Sequence, residues 1–239
     1  MRTLFWPLPL LALTLGFAPV QDWVKRPDPQ RLADAYPGFA AHAGLEGYAR
    51  IACGVAATGA LENCRVIEES PVGLGFGAAA LSVSDGYLAD RQDDEVAFTN
   101  HFSLPPLETI RPWDGSEPGP EVMEAATQYT RRLNLSLTRS FSLDGLPDDR
   151  REAVSEIIAE VEAETGADLR AAYALSLART QSLETLRMVL VGQRRPGRSP
   201  FTDGEIARAE DQLKTVGNRQ NALVQQRYCA LYDCGPGAS

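Results

Sequence analysis

Apolar and polar positions alternate with the two-residue period of strands between residues 48 and 104, and recur with a helical period over most of the chain after 121. From Tyr48 to Val55 the odd positions Ile51, Cys53 and Val55 share one face, and Leu61 to Glu68 supplies a partner with Cys64 and Val66 on one face. The two runs meet at Thr58-Gly59, where glycine can take the positive φ of a tight hairpin turn. With those two residues as the loop, 57 faces 60, 53 faces 64 and 51 faces 66, which sets Cys53 directly across from Cys64. Ser70-Pro71-Val72-Gly73 ends the second strand, and Phe76 with the Ala78–Leu81 run predicts a short helix of small residues, closed by Asp85-Gly86. Val96 to Leu104 alternates as a third strand, with Phe98, Phe102 and Leu104 pointing one way, until Pro105-Pro106 removes the ladder donors. The predicted order is β-β-α-β.

The remainder reads as helices. Glu121 to about Arg139 carries Val122, Ala125, Ala126, Tyr129 and Leu133 at helical spacing. Pro147 with Asp148 and Asp149 suits a helix start, and Val154, Ile157, Ile158 and Val161 form its buried stripe until Gly166 ends it. Asp168 then caps a further segment, Ser182 precedes another that ends near Gly192, and Thr202 with Glu205 has the spacing of a capping box. Ile206, Ala209, Leu213, Val216 and Leu223 predict one long last helix, with Cys229 and Cys234 at its end, where a bridge would stop fraying. The expected architecture is α+β: an antiparallel sheet with one helix over 35–107, a Pro/Gly/acidic linker over 108–121, and an all-α helical bundle over 122–239.

Composition narrows the partners. The 239-residue chain carries a net charge of −9 without basic clusters, so it lacks the electrostatic footprint of a nucleic-acid binder. The N-terminus has one cation, Arg2, and then no charge from Leu4 to Val20, the pattern of an export signal, with Gly16 and Ala18 at cleavage spacing. Residues 1–20 are therefore expected to be a signal peptide or an N-terminal anchor, the chain's one attachment to a membrane if it is kept, and 21–34 a polar tether. The four cysteines fall into two local pairs without a C-x-x-C spacing or a neighbouring His, which favours disulfides over zinc.

Taken in order, Tyr36-Pro37, Gly44-x-Glu46-Gly47, a hairpin turning at Gly59, Val66-x-Glu68-x-Ser70-Pro71-x-Gly73, Ala79-Ala80-Leu81 and a closing strand resemble the TonB C-terminal domain over residues 35 to 106. The resemblance implies a periplasmic module that binds a peptide or envelope protein, such as an outer-membrane transporter, by adding a strand to its sheet edge. It places that edge on the third strand, marked by Val96, Phe98, Asn100 and Phe102. The chain differs from energy-transducing members in having no long Pro-rich spacer and no His in its apolar N-terminal segment. Ser182 to Gly197 is weakly similar to a family of exported helical domains of unknown function.

Elsewhere no catalytic constellation is legible, and the chain is expected to be non-catalytic with no cofactor and no metal. Arg194, Arg195 and Arg198 cluster in a loop, and Glu156, Glu160 and Glu164 recur as a solvated helix face does. Two alternatives stand beside the sheet-edge reading: an inner-membrane-anchored transducer, and a small-ligand carrier or enzyme built on the helical half.

Overall fold

The computed structural model describes residues 23–90, 95–192 and 201–235. The apolar segment over 1–20 and the Arg194–Arg198 cluster lie outside the described residues. The architecture is mixed α+β: eight helices and two small antiparallel sheets among the described residues, with a helical C-terminal half. No helix among the described residues is long and apolar enough to cross a membrane.

Two strands, β2 (Gly47–Val55) and β3 (Leu61–Ser70), form the expected hairpin, and β5 (Glu95–Phe102) pairs antiparallel with β2 on its other side. The order in this sheet is β3-β2-β5. The hairpin turn is one residue longer than expected. Ala56 N–H donates to Ala60 O at 2.9 Å, leaving Ala57, Thr58 and Gly59 as the loop, with Gly59 at φ +82°. This is the three-residue form, in which the last position is left-handed. A register shift between Ala52 and Gly54 then sets Ile51 opposite Val66 as expected, and Asn63 takes φ 51° there. The extra loop residue and the irregularity cancel, so Cys53 still meets Cys64. Their Cα atoms are 4.0 Å apart and the disulfide is formed. The second bridge, Cys229–Cys234, closes the end of the last helix as expected.

Against the sheet lies α3 (Phe76–Ser82), the small-residue helix. Ahead of β2 the chain forms α2 (Gly38–Ala43), which the periodicity did not reveal because only Phe39, Ala40 and Ala43 face inward in six residues. The stretch expected as a tether is packed where it is described. There β1 (Trp23–Lys25) pairs with β4 (Leu88–Ala89), α1 (Pro29–Asp34) follows, and Arg31 bonds Asp85. Trp23 supplies the apolar reason, since its ring lies 4.7 Å from those of Tyr87 and Phe98.

The helical half is α4 (Pro120–Thr130), α5 (Asp148–Thr180), α6 (Leu183–Leu190), α7 (Asp203–Ala209) and α8 (Asp211–Leu231). Ser182 caps α6, and Thr202 with Glu205 forms the capping box of α7, as their spacing predicts. Three expectations fail. The first helix stops at Thr130 rather than near Arg139, because Glu162 accepts hydrogen bonds from the Ser136 hydroxyl and from Leu137 N–H, each at 3.0 Å, and holds the segment in another direction. Gly166 does not end a helix: α5 runs straight through it for 33 residues. Glycine costs about 1 kcal/mol in a helix interior, and the packing of Thr165 against α8 outweighs it, with Gln220 of α8 donating to Thr165 Oγ1 at 2.8 Å. The last helix is broken at Glu210 and Asp211.

The halves also share the larger of two apolar cores, the smaller one (Ala125, Ala126, Ala174, Ala178 and Leu186) lying within the helices. A single cluster of buried side chains includes Phe39, Ile51 and Phe76 from the sheet side with Ile158, Val224 and Tyr228 from the helices. Phe39 joins them, its ring centroid 5.2 Å from Tyr228 and 6.0 Å from Phe141. The expected linker, 108–121, crosses the helices and does not divide two cores. Its Trp113 meets Phe201 edge-on and lies under Arg179.

Two substitutions test this packing. A Cβ on Gly166 would meet nothing nearer than the Arg170 guanidinium at 3.7 Å. Gly166→Ala is therefore expected to raise unfolding stability by about 0.5–1 kcal/mol; a loss would mean that the helix ends there. Phe39→Ala is expected to cost about 3–5 kcal/mol, with both halves melting together in a single calorimetric transition.

Candidate functional site

The residues that carry the family likeness build the frame of the three-stranded sheet. Gly44 ends α2 at φ 70°, where its left-handed conformation turns the chain toward β2. Gly47 lies under Phe76: a Cβ there would come within 2.3 Å of the ring and 2.6 Å of Ser70 O. Tyr36 meets Phe76 and Phe102 edge-on and donates to Leu45 O at 2.8 Å. Burial of its ring, with the charge of Glu46 nearby, pushes the Tyr36 hydroxyl well above its ordinary pKa, so it stays a donor. Glu46 accepts from Leu104 N–H at 2.9 Å and ties the far end of β5 to the start of β2.

One organising residue was missed. Glu68, singled out in the sequence, accepts from the Tyr48 hydroxyl on the outer face at 2.7 Å. Its neighbour Glu69 does more. Its carboxylate accepts from Gly73 N–H at 2.7 Å and Gly77 N–H at 2.6 Å, holding the turn after the cis Ser70–Pro71 bond and capping α3, whose own N-cap is a glycine. The signal available in the sequence was an acid placed eight residues before a glycine in the first turn of a helix that lacks a capping side chain.

The third strand places its marked residues inward. Val96 lies opposite Cys53, Phe98 opposite Ile51, Asn100 opposite Ala49 and Phe102 opposite Gly47. Val96, Asn100 and Phe102 are buried, and Phe98 is half-buried beneath Trp23. These four side chains therefore belong to the face that fills the core. Asn100 accepts from the Tyr87 hydroxyl, whose pKa burial raises, while its own Nδ2 has no hydrogen-bond partner. What β5 offers outward is Glu95, Ala97, Thr99 and His101, all exposed, with Glu95 bonded to Arg65 and His101 beside the Tyr48 ring.

The two edges of the sheet differ. The β2–β3 pairing shifts register twice, between Arg50 and Ile51 and between Ala52 and Gly54. The β2–β5 pairing runs without a shift through all eight residues of β5, and no strand among the described residues pairs with its outer side. A regular, unpaired edge is a template for a further strand; bulges are one way in which an edge is made unsuitable. Where β2 and β5 begin and end, a shallow cleft of about 230 Å³ lies between Glu46, Tyr48, His101, Ser103 and Cys234.

In the helical half two of the three acids spaced along the α5 face are engaged by arginines. Glu160 and Glu164 pair with Arg227, and Glu164 with Arg219. No group of three His, Cys, Asp or Glu among the described residues could hold a metal ion. The buried pair there is structural. Arg179 and Asp211 are 2.8 Å apart with side chains 6% and 10% exposed, and Asp211 also accepts from Trp113 N–H at 3.2 Å and Gln212 N–H at 2.6 Å. Burial alone would raise the Asp211 pKa, but those N–H bonds and the Arg179 charge hold it below the ordinary carboxylate value. The same bonds account for the break at residue 210, because they draw Asp211 into the first turn of a new helix.

No family model matches the chain, and neither a curated protein nor a solved structure does.

Removing the Asp211 carboxylate leaves Arg179 with the exposed Glu117 as its one ionic partner among the described residues. Asp211→Ala is expected to cost about 3 kcal/mol or more, read by urea unfolding at neutral pH. Because the folded pKa is depressed, the stabilisation is full above the unfolded value of about 4 and is lost as pH falls through the folded one. The gap between wild type and variant should close over that acid window.

Proposed function

We propose that this chain is a non-catalytic binding protein of the Gram-negative envelope, TonB C-terminal-like over residues 35–106, that takes a peptide or protein segment as an added strand on β5. One observation carries the reading: β5 is an eight-residue strand, unbroken in register, with no strand paired to its outer side among the described residues. Backbone groups at such an edge supply affinity, and pockets for alternate side chains supply selectivity. The inward set of Val96, Phe98, Asn100 and Phe102 serves to hold the strand flat against the core, so the partner's selectivity would come from the exposed Ala97, Thr99 and His101. The β2–β3 hairpin, locked by Cys53–Cys64, keeps β5 from following its ligand away. Two disulfides favour an oxidising compartment, which supports the periplasmic location that the N-terminal segment suggested.

Site-specific photocrosslinking tests it. A benzophenone side chain placed at Ala97, Thr99 or His101 in the exported chain is expected to capture one common partner in the cell envelope. The same group at Glu156, on an exposed face of α5, should not capture it. Equal capture from Glu156, or none from β5, would sink the proposal.

A further inference from the structure

The helical half contains a trough that the sheet-edge reading does not use. Two clefts open on the same stretch of α5, and Met123 of α4 and Ala171 of α5 line both. The first, about 280 Å³, lies between α4 and α5, with Thr127, Ala167 and Ala174 along its walls and the exposed Arg131 and Arg170 beside them. The second, about 540 Å³, continues between α5 and α8 past Leu175, Val216 and Arg179. The shared part is apolar.

The charges of the first cleft are uncompensated. Elsewhere in the helical half Arg179, Arg187, Arg208, Arg219 and Arg227 each meet a carboxylate. Arg131 and Arg170 meet none among the described residues, and no acid lines the cleft they share, in a chain whose net charge is −9. In the second cleft the charges are matched: Arg179 pairs with Asp211 and Glu117, and Arg219 with Asp168.

We propose that the trough binds an anionic amphiphile. A carboxylate head sits between Arg131 and Arg170, and an unbranched apolar chain crosses Met123 and Ala171 toward Leu175 and Val216. From Arg170 to Leu175 α5 rises by about 7.5 Å at 1.5 Å per residue, so a ten-carbon chain is long enough to pass Leu175. The small side chains of Ala167 and Ala171 are what leave room for it.

Titration calorimetry on the full chain with decanoate tests this, with decyltrimethylammonium as the cation of matching chain. Decanoate should bind one to one and the ammonium should not. Arg131→Gln with Arg170→Gln should weaken decanoate binding by about ten-fold or more, as loss of charge-assisted hydrogen bonds implies. Ala171→Trp, at an exposed position, should abolish binding with unchanged circular dichroism. No heat with decanoate, equal binding of the ammonium, or unchanged affinity in the double variant overturns the proposal. So does a dimer that Ala171→Trp disrupts, since the trough would then belong to a second copy of the chain.

Discussion

The contact on which the rest depends is that of Phe39 with Tyr228. Phe39 stands on a six-residue helix with no independent stability, and Tyr228 on the last turns of α8, yet both are fully buried against each other. Through them the sheet side and the helical side become one core. Tyr228 is itself held from three directions. Arg150 donates to its hydroxyl at 2.7 Å and stacks on the adjacent Tyr232 at 3.6 Å, while the Cys229–Cys234 bridge fixes the turn on which Tyr232 stands. Burial raises the Tyr228 pKa, so the hydroxyl stays neutral and accepts from the guanidinium. The second disulfide therefore does more than close a helix end, because it stabilises the junction between the two halves.

That junction explains how so small a sheet presents a firm edge. A three-stranded sheet with one short helix would bury little on its own. Here α2 and the helices cover the core face of β2, Trp23 covers Phe98 of β5, and Glu69 pins α3 to β3. The outer face is left polar, with Arg65 bonded to Glu95 and Tyr48 to Glu68. With one face committed to the core and the other solvated, the backbone edge of β5 is where a binding function has room to act.

The helical half is organised by charge as much as by apolar contact. Arg179 gathers the Trp113 ring, the exposed Glu117 and Asp211, which ties residues far apart in sequence together around one buried ion pair. Breaking such a pair is costly because either charge alone is stranded away from water. Against that background of matched ions, the unmatched arginines beside the alanine-floored trough differ from their surroundings, and they are what give that surface a chemistry.

What the amino-acid order determined by itself was local. The β2–β3 hairpin, its Cys53–Cys64 bridge, the small-residue helix and the caps at Ser182 and Thr202 all follow from contacts within about a dozen residues, where turn chemistry and side-chain period leave few alternatives. Even the mistaken loop length did no harm, since one irregularity at Asn63 restored the pairing. Tertiary structure decided the rest by overruling local preference with distant contacts. Gln220 carried α5 across Gly166, Trp113 and Arg179 started a new helix at Asp211, and Trp23 turned an apparent tether into cover for Phe98. The inward direction of Val96, Phe98, Asn100 and Phe102, and hence which atoms of β5 a partner can reach, was fixed only when the strand found β2. Period alone says which residues share a face; the core says which face is hidden.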